Sequence, residues 1–224
     1  VPGYFAACGN AADTSCTKGK IWRAHFLPVE RGDYTWKIRF RKGTDVAIRA
    51  PAGTPLENDG LTGQFSITKD SVDPIKSRGI LTYTGEQYYR FAGDNSLFFK
   101  FGPDAPENML AYEEFDGTFH NDGHKDELVK SWEAHEKHWK EGDPTWKDDK
   151  GKDIIGAINY LASKGCNAFS FLTNNIMGDD QNVFPYIDYD TWDRMDCSKL
   201  DQWEVLFEHA DHLGLFLHFK TLEA

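Results

Sequence analysis

The sequence predicts a β-rich N-terminal part followed by an α/β part, and two patterns carry this prediction. From residue 34 to residue 41 (YTWKIRFR), apolar and polar residues alternate strictly, as in a β-strand with one face on a core and the other in water. From Asp153 to Lys220, the chain shows the order helix, strand, helix, strand, which is typical of a parallel βα framework. The chain has 224 residues, of which 40% are hydrophobic and 14% aromatic, so a substantial core can form.

Short alternating segments fill the first 70 residues. They lie at residues 22–26, 34–41 and 64–68, and residues 31–33 (RGD) predict the turn between the first two. An antiparallel β-sandwich explains this pattern. A sandwich usually needs about seven strands, and fewer are visible here, so we expect its first strands to be missing from this chain.

Residues 78–108 predict three further short strands and a loop suited to a binding site. The strands lie at residues 80–83, 88–91 and 97–101, and turns at Gly85 and Asp94 separate them. The third strand ends in a rigid polar loop with the sequence GPDAPEN. Loops of this kind at the C-terminal end of a strand often hold functional residues.

Trp132, Trp139 and Trp146 follow at intervals of seven residues in a highly polar stretch. On a helix over residues 127–140, the first two would lie on one stripe. We predict an amphipathic helix that covers the core, in preference to an exposed platform for stacking sugar rings.

The first helix and strand of the βα framework have clear boundary signals. Asp153 opens a helix whose apolar stripe ends near Gly165, a residue suited to a left-handed C-terminal cap. The stripe consists of Ile154, Ile155, Ile158 and Leu161. Residues 167–173 (NAFSFLT) form a short apolar run, which predicts a strand buried on both faces.

A second helix and strand follow in the same order. Ser198 and Asp201 predict a start of the capping-box type, and an apolar stripe then continues to Gly214. Residues 215–220 (LFLHFK) predict the next strand.

The net charge of −11 restricts the classes of partner. It repels phosphate backbones and anionic lipid surfaces, so we predict no nucleic-acid partner, while neutral and cationic ligands stay open. No run approaches 18 apolar residues, so we predict no membrane insertion. The N-terminus lacks the basic flank and the apolar core of a signal peptide, and we expect the chain to be a mature or trimmed piece.

Cysteine spacing excludes a zinc site of the CxxC kind. Cys8 and Cys16 are close enough in the chain to pair, and a disulfide there would add about 2.5 kcal/mol on the loop-entropy model. Cys166 and Cys197 fall near opposite ends of a βα unit, so we predict that both are free thiols.

Two polar segments have the donor atoms for a metal ion. The loop 174–197 is rich in Asp but lacks the residue order of an EF-hand, so a solvated loop anchored by its aromatic residues is favoured over a calcium site. His120, Asp122 and His124 have suitable spacing, although a polar turn is the commoner outcome. We predict no metal and no cofactor.

Four strings support a resemblance to a known family. They are residues 102–108 (GPDAPEN), 142–146 (GDPTW), 154–186 (IIGAINYLASKGCNAFSFLTNNIMGDDQNVFPY) and 196–221 (DCSKLDQWEVLFEHADHLGLFLHFKT). The chain resembles secreted glycoside-hydrolase-like proteins that carry a β-sandwich of unknown function, sometimes labelled collagen-binding, ahead of a (β/α)8 barrel. VPGYF at Val1 resembles a VPGFYDG string in the middle of that sandwich, and the resemblance covers nearly the whole chain.

The resemblance implies an incomplete N-terminal antiparallel β-sandwich at residues 1–75 and the first third of a TIM-type (β/α)8 barrel at residues 76–224. A complete barrel needs about 250 residues, so this chain would be an internal fragment that needs the rest of the barrel or a partner chain. On this mapping, barrel strands one, two and three are residues 97–101, 167–173 and 215–220. The catalytic carboxylates would follow strands four and seven, outside this chain.

The implied function is that of a secreted, polysaccharide-active glycoside hydrolase. Its partner would be a polysaccharide or oligosaccharide, and its location extracellular, periplasmic or at the cell surface. This chain alone would be inactive. The alternative is a non-catalytic extracellular module that binds a glycan or a protein.

Strand parity and loop position select the candidate ligand-binding residues. In residues 215–220, every second side chain faces the helices, which leaves Phe216, His218 and Lys220 on the barrel side. His218 can be either a ligand-binding residue or a satisfied core histidine. We also expect Glu107 or Glu223 to lie within reach of Lys220, either in a salt bridge or through one water. The full set offers the mixed donors and acceptors that sugar hydroxyls need, and it consists of Glu107, Asn108, Asn174, His218, Lys220 and Glu223.

Overall fold

The computed structural model describes residues 1–28, 30–46, 48–49, 53–69, 76–104, 107–118, 129–178 and 180–221. The chain divides into two compact units. The αβ unit consists of Val1–His25 and Phe99–Ala224, and the β unit is Phe26–Phe98. The predicted domain boundary at residue 75 falls inside the β unit.

The strands are β1 (Tyr4–Phe5), β2 (Trp22–Arg23), β3 (Gly32–Lys37), β4 (Arg41–Lys42), β5 (Thr54–Pro55), β6 (Thr62–Ile67), β7 (Leu81–Tyr83), β8 (Tyr89–Phe91), β9 (Leu97–Phe98), β10 (Ala168–Leu172) and β11 (Phe216–Lys220). The helices are α1 (Ala11–Thr14), α2 (Lys152–Ser163) and α3 (Cys197–His212), with two 3₁₀ helices at Lys76–Arg78 and Glu133–His138.

The β unit contains small antiparallel sheets. Strand β3 pairs with β6, so that Tyr34 lies opposite Phe65 and their rings stack with centroids 5.3 Å apart. Strand β4 pairs with β5, and β7, β8 and β9 form a meander. The described sheets have two or three strands each, and the sandwich therefore stays a prediction.

The predicted turn at residues 31–33 between two paired strands is wrong. Strand β2 pairs with β1 in the αβ unit, whereas β3 pairs with β6. Two contacts of the N-terminal segment explain why β2 pairs with β1 and not with β3. The ring of Trp22 packs against Phe5 with centroids 5.5 Å apart, and Arg23 forms an ion pair with Asp201 of α3 at 3.3 Å.

The αβ unit contains the predicted helices and strands. Strands β10 and β11 are parallel, from the pair Ala168 with Phe216 to the pair Leu172 with Lys220. All five residues of β10 are buried. Helix α2 buries Ile154, Ile155 and Ile158, and Gly165 after it has the left-handed conformation that its position predicts, with a φ of 77°.

Helix α3 begins at a different cap from the predicted one. Asp196 is the N-cap, and its Oδ1 accepts from the backbone N–H of Ser198 at 3.0 Å and of Lys199 at 3.1 Å. Asp201 instead accepts from the backbone N–H of Ala12 at 2.7 Å and thereby binds the N-terminal segment to α3. A carboxylate just before the first turn reaches its free N–H groups directly, so the capping box is not needed.

The predicted helix over residues 127–140 is wrong in length and type. Its described part contains a six-residue 3₁₀ helix, which begins after Trp132 in a left-handed conformation and ends before Trp139 in an extended one. Both tryptophans nevertheless pack against the core. Trp146 is buried, with its ring stacked on Phe115 at 5.2 Å between centroids.

The four cysteines are in two states. Cys8 and Cys16 form a disulfide bond, and Cys166 and Cys197 are free thiols as predicted.

The loop after β10 is held by protein contacts, because Tyr189 donates to the backbone oxygen of Ile176 at 2.8 Å. His120, Asp122 and His124 lie outside the described residues.

Trp203 tests the packing of α3. Its side chain belongs to the buried core and is 3% exposed. We expect Trp203→Ala to lower the free energy of unfolding by about 3–5 kcal/mol, because it leaves a large cavity. Trp203→Phe should cost clearly less, since the phenyl ring refills most of that space.

Chemical denaturation of these variants is compared with that of Trp192→Ala, which truncates a half-exposed tryptophan. A loss below about 1 kcal/mol for Trp203→Ala would contradict the packing described for α3.

Candidate functional site

The polar loop after residue 98 lies along one edge of β10. The backbone N–H groups of Asn167 and Ser170 donate to the oxygens of Phe101 and Pro103 at 2.8 and 3.0 Å, and that of Leu172 donates to Glu107 at 2.8 Å. The loop therefore runs in the same direction as β10. The prediction of a regular parallel strand at residues 97–101 is wrong, because the first two residues pair antiparallel with β8.

Two side-chain features permit this close docking. Asn167 accepts from the backbone N–H of Phe101 at 2.7 Å and donates to the oxygen of Phe99 at 2.8 Å. At Gly102, a Cβ atom would lie 1.7 Å from the backbone oxygen of Ala168. Only glycine fits at this position, because any side chain would collide with the strand backbone. The first residue of the GPDAPEN loop is therefore the residue type that this close contact requires.

Six polar side chains meet where this loop and the two parallel strands come together, and we call them the strand-end cluster. They are Lys100, Asp104, Glu107, Ser170, His218 and Lys220. Ser170, His218 and Lys220 share one face of the sheet. Ser170 lies opposite His218 in the ladder, and Lys220 is two residues further on in the same strand as His218. The alternate side chains of β11 face α3, and Phe219 among them packs edge-on against Phe207 with centroids 5.3 Å apart.

Ser170 is the buried centre of the strand-end cluster. Its Oγ contacts Asp104 Oδ1, lies 2.5 Å from Lys100 Nζ and lies 2.7 Å from His218 Nδ1. A hydroxyl donates once and accepts twice. The three contacts of the hydroxyl are satisfied when Ser170 donates to Asp104 and accepts from Lys100 and from a protonated Nδ1 of His218. Lys100 Nζ also lies 3.2 Å from this Nδ1, and that contact is then not a hydrogen bond. This arrangement leaves Nε2 of His218 as an acceptor.

Glu107 and Lys220 form the second ion pair of the cluster. Lys220 Nζ donates to Glu107 Oε1, and Glu107 is one of the two carboxylates predicted within its reach. Both side chains are partly exposed, at 31% for Lys220 and 46% for Glu107. They stay within reach of a ligand.

The cluster holds Asp104 in its ionised form. The hydrogen bond from Lys100, then that from Ser170, and the nearby charges of Lys100 and Lys220 lower the pKa of Asp104 to about 2.

Two other predicted site residues, Asn108 and Asn174, have different contacts from those of the cluster. Asn108 is 3% exposed, and its Nδ2 has no hydrogen-bond partner among the described residues. Asn174 uses its Oδ1 to accept from the backbone N–H of Ile176 at 3.1 Å. Thr173 N–H donates to the oxygen of Lys220 at 3.1 Å, so Asn174 and Lys220 emerge at the same end of the sheet. Glu223 lies outside the described residues.

Lys100, Asp104 and Ser170 are the members that the sequence prediction missed. Each had a signal. Ser170 is the one hydroxyl residue inside the apolar run AFSFL. Asp104 lies in the loop that was assigned a binding role, and Lys100 lies two residues before that loop, between two phenylalanines.

Comparisons of this chain with protein-family models, with curated proteins and with solved structures found no match. The resemblance to glycoside-hydrolase-like proteins therefore stays a prediction.

The described residues contain neither a membrane-spanning helix nor a metal-binding cluster. No described helix is both long enough and apolar enough to cross a membrane. No group of three or more His, Cys, Asp and Glu side chains in the described ranges is arranged to hold a metal ion.

The pKa of Asp104 predicts a pH dependence of stability. It lies below the ordinary value of 3.8 for this carboxyl, so the ionised form stabilises the folded state. That contribution is present above about pH 4 and is lost as the pH falls to about 2. We expect wild type to exceed Asp104→Asn in free energy of unfolding near neutral pH, and the difference to shrink through this range.

Urea denaturation at several pH values measures this difference. Asp148→Asn removes an exposed carboxylate outside the cluster and controls for net charge. A difference that stays constant from about pH 6 to about pH 2.5 would contradict the contacts assigned to Asp104.

Proposed function

We propose that the strand-end cluster is the glycan-binding site of a secreted, polysaccharide-active, glycoside-hydrolase-like protein. One observation supports this most strongly. Two cation–carboxylate pairs and a Ser–His pair converge from a loop and two parallel strands, and one of these pairs, Glu107 with Lys220, lies at the C-terminal end of β11. In (β/α)8 enzymes, this end of the strands is where ligands bind.

The charge of the cluster favours an uncharged ligand. Lys100 and Lys220 are each paired with a carboxylate, so the four ionised side chains sum to zero. A phosphate or another anion would have to displace Asp104 or Glu107 from its lysine. A sugar needs no displacement, because its hydroxyls both donate and accept, and the cluster has ammonium donors, carboxylate acceptors and an imidazole.

The proposed role of this chain is ligand binding, with the chemical step assigned to carboxylates outside it. A glycosidase needs one carboxyl group as a proton donor and a second as a nucleophile or base. Asp104 and Glu107 each accept from a lysine in this structure, and the pKa of Asp104 is far too low for a proton donor at neutral pH. They suit hydrogen bonding to ligand hydroxyls.

The αβ unit also has a strand edge that further chain can extend. Strand β11 pairs with β10 on one side and with no other strand in the described part of the chain. Phe219 on this strand is 44% exposed, although it packs against α3. A further strand and helix, from the rest of a barrel or from a partner chain, would cover both features.

The second candidate function is a non-catalytic binding module, and the aromatic face of β3 and β6 favours it. Tyr34 stacks on Phe65, and Phe26 packs edge-on against Tyr34 at 5.5 Å between centroids. Trp36 is 43% exposed. Such a face can stack on sugar rings or on a protein surface. Binding that maps to the β unit, with the αβ unit unaffected, would support this candidate over the first.

Lys220→Gln tests the proposed site. We expect it to weaken binding of neutral oligosaccharides from cellulose, xylan or mannan by about 10- to 150-fold, because it removes a charge-assisted hydrogen bond worth about 1.5–3 kcal/mol. The melting temperature should change little, since an exposed ion pair contributes about 0–1 kcal/mol. Isothermal titration calorimetry across the panel provides the affinities.

Lys18→Gln is the matched control, because it removes an exposed lysine outside the cluster. Unchanged affinity in Lys220→Gln for a glycan that the wild type binds would exclude the cluster as the site. A large fall in melting temperature would assign Lys220 a structural role instead.

A further inference from the structure

A separate pocket lies in the αβ unit, on the helix side of β10. It has a volume of about 170 Å³ and lies between the 3₁₀ helix Glu133–His138, helix α2, strand β10 and the chain after Pro103. Its lining consists of Pro103, Met109, Trp132, His135, Ala157, Tyr160, Leu161, Phe169 and Ser170.

The pocket has an apolar floor and an aromatic mouth. Met109, Ala157 and Phe169 are buried. Trp132, His135 and Tyr160 are half-buried, and the His135 ring lies 5.0 Å from the Tyr160 ring and 6.1 Å from the Trp132 ring between centroids. These three rings pack against one another at the mouth, so a flat ring inside the pocket would contact their inner side and the apolar atoms of the floor.

His135 is one of the four lining residues that have a polar group, beside Trp132, Tyr160 and Ser170. Its Nδ1 lies 3.4 Å from Nδ1 of His138, which occupies that nitrogen. Burial, followed by the charges of His138 and Lys137, lowers the pKa of His135, so its ring is neutral at neutral pH. Ser170 also lines the pocket, but its hydroxyl is used by the strand-end cluster.

The size and lining exclude a sugar and favour an aromatic ring. A sugar ring carries several hydroxyls, and most of them would lose their hydrogen bonds against these apolar walls. An apolar cavity of about 150 Å³ accepts benzene in another protein. The volume here is close to that value, and a single imidazole can meet one polar substituent.

We propose that this pocket binds a small planar aromatic molecule with one polar substituent, of the phenol class. The ring lies between Trp132, Tyr160 and Phe169, and its substituent meets the imidazole of His135. This inference does not depend on the proposed glycan site, because the two ligands contact different side chains.

The test follows the Trp132 indole N–H by NMR while phenol is added to the ¹⁵N-labelled chain. This group donates to the backbone oxygen of Met109 at 3.4 Å, so it reports on the pocket wall. We expect saturable shifts centred on Trp132, Ala157 and Phe169. Cyclohexanol has the same hydroxyl on a puckered ring, and we expect it to bind at least fivefold more weakly.

Two variants locate the site. Ala157→Leu fills the pocket and should weaken phenol binding at least tenfold, whereas Ala134→Leu makes the same change at an exposed position of the 3₁₀ helix and should leave it unchanged. His135→Leu should weaken phenol but leave benzene binding within about twofold, because only phenol has a substituent for the imidazole.

Phenol that shifts no pocket resonance, or that binds folded Ala157→Leu as well as wild type, would overturn the inference. Should Ala157→Leu not fold, the wild-type comparison decides it, since equal affinity for phenol and cyclohexanol would also exclude a site built for a planar ring.

Discussion

The αβ unit depends on the pairing of one fully buried strand on both of its edges. Strand β10 forms a parallel ladder with β11 on one edge and accepts the GPDAPEN loop on the other. All five of its residues are buried, so each of its backbone N–H and C=O groups needs a partner within the protein. The loop meets part of this need. Helices α2 and α3 are among the elements that contribute to the core around the strand, through Ile154, Ile158 and Leu206.

Ser170 links this framework to the candidate site. Its buried hydroxyl would be costly without partners, and Lys100, Asp104 and His218 provide them. The same contacts hold the loop against the strands, which also places Glu107 beside Lys220. The polar cluster therefore stabilises the fold at this edge, and it is also the group of side chains that we propose as the ligand-binding site. The pocket on the helix side of β10 is formed in part by the same strand as the cluster. Its lining is mainly apolar and aromatic, whereas the cluster is polar.

Local signals in the sequence predicted what depends on local chemistry. Apolar periodicity predicted both long helices and the two parallel strands. Strand position predicted that Glu107 or Glu223 lies near Lys220, and the structure shows the contact with Glu107. Features set by distant contacts could not be predicted in this way. Asp201 resembles a capping residue, but it binds Ala12 across the fold. The spacing of the tryptophans suits a helix, yet the backbone at Trp132 is left-handed. Ser170 acquires its importance only from three side chains that are remote in sequence.

Amide hydrogen exchange at Ser170 and Leu172 tests the docking of the loop on β10 most directly. These two N–H groups donate to Pro103 and Glu107, whereas the other edge of β10 faces β11. If the loop is docked as described, both amides exchange as slowly as the amides of the β10–β11 ladder, because both edges open only when the αβ unit unfolds. Rapid exchange at Ser170 and Leu172 beside a protected ladder would show that the loop is not held on the strand. The strand-end cluster would then not form as a unit.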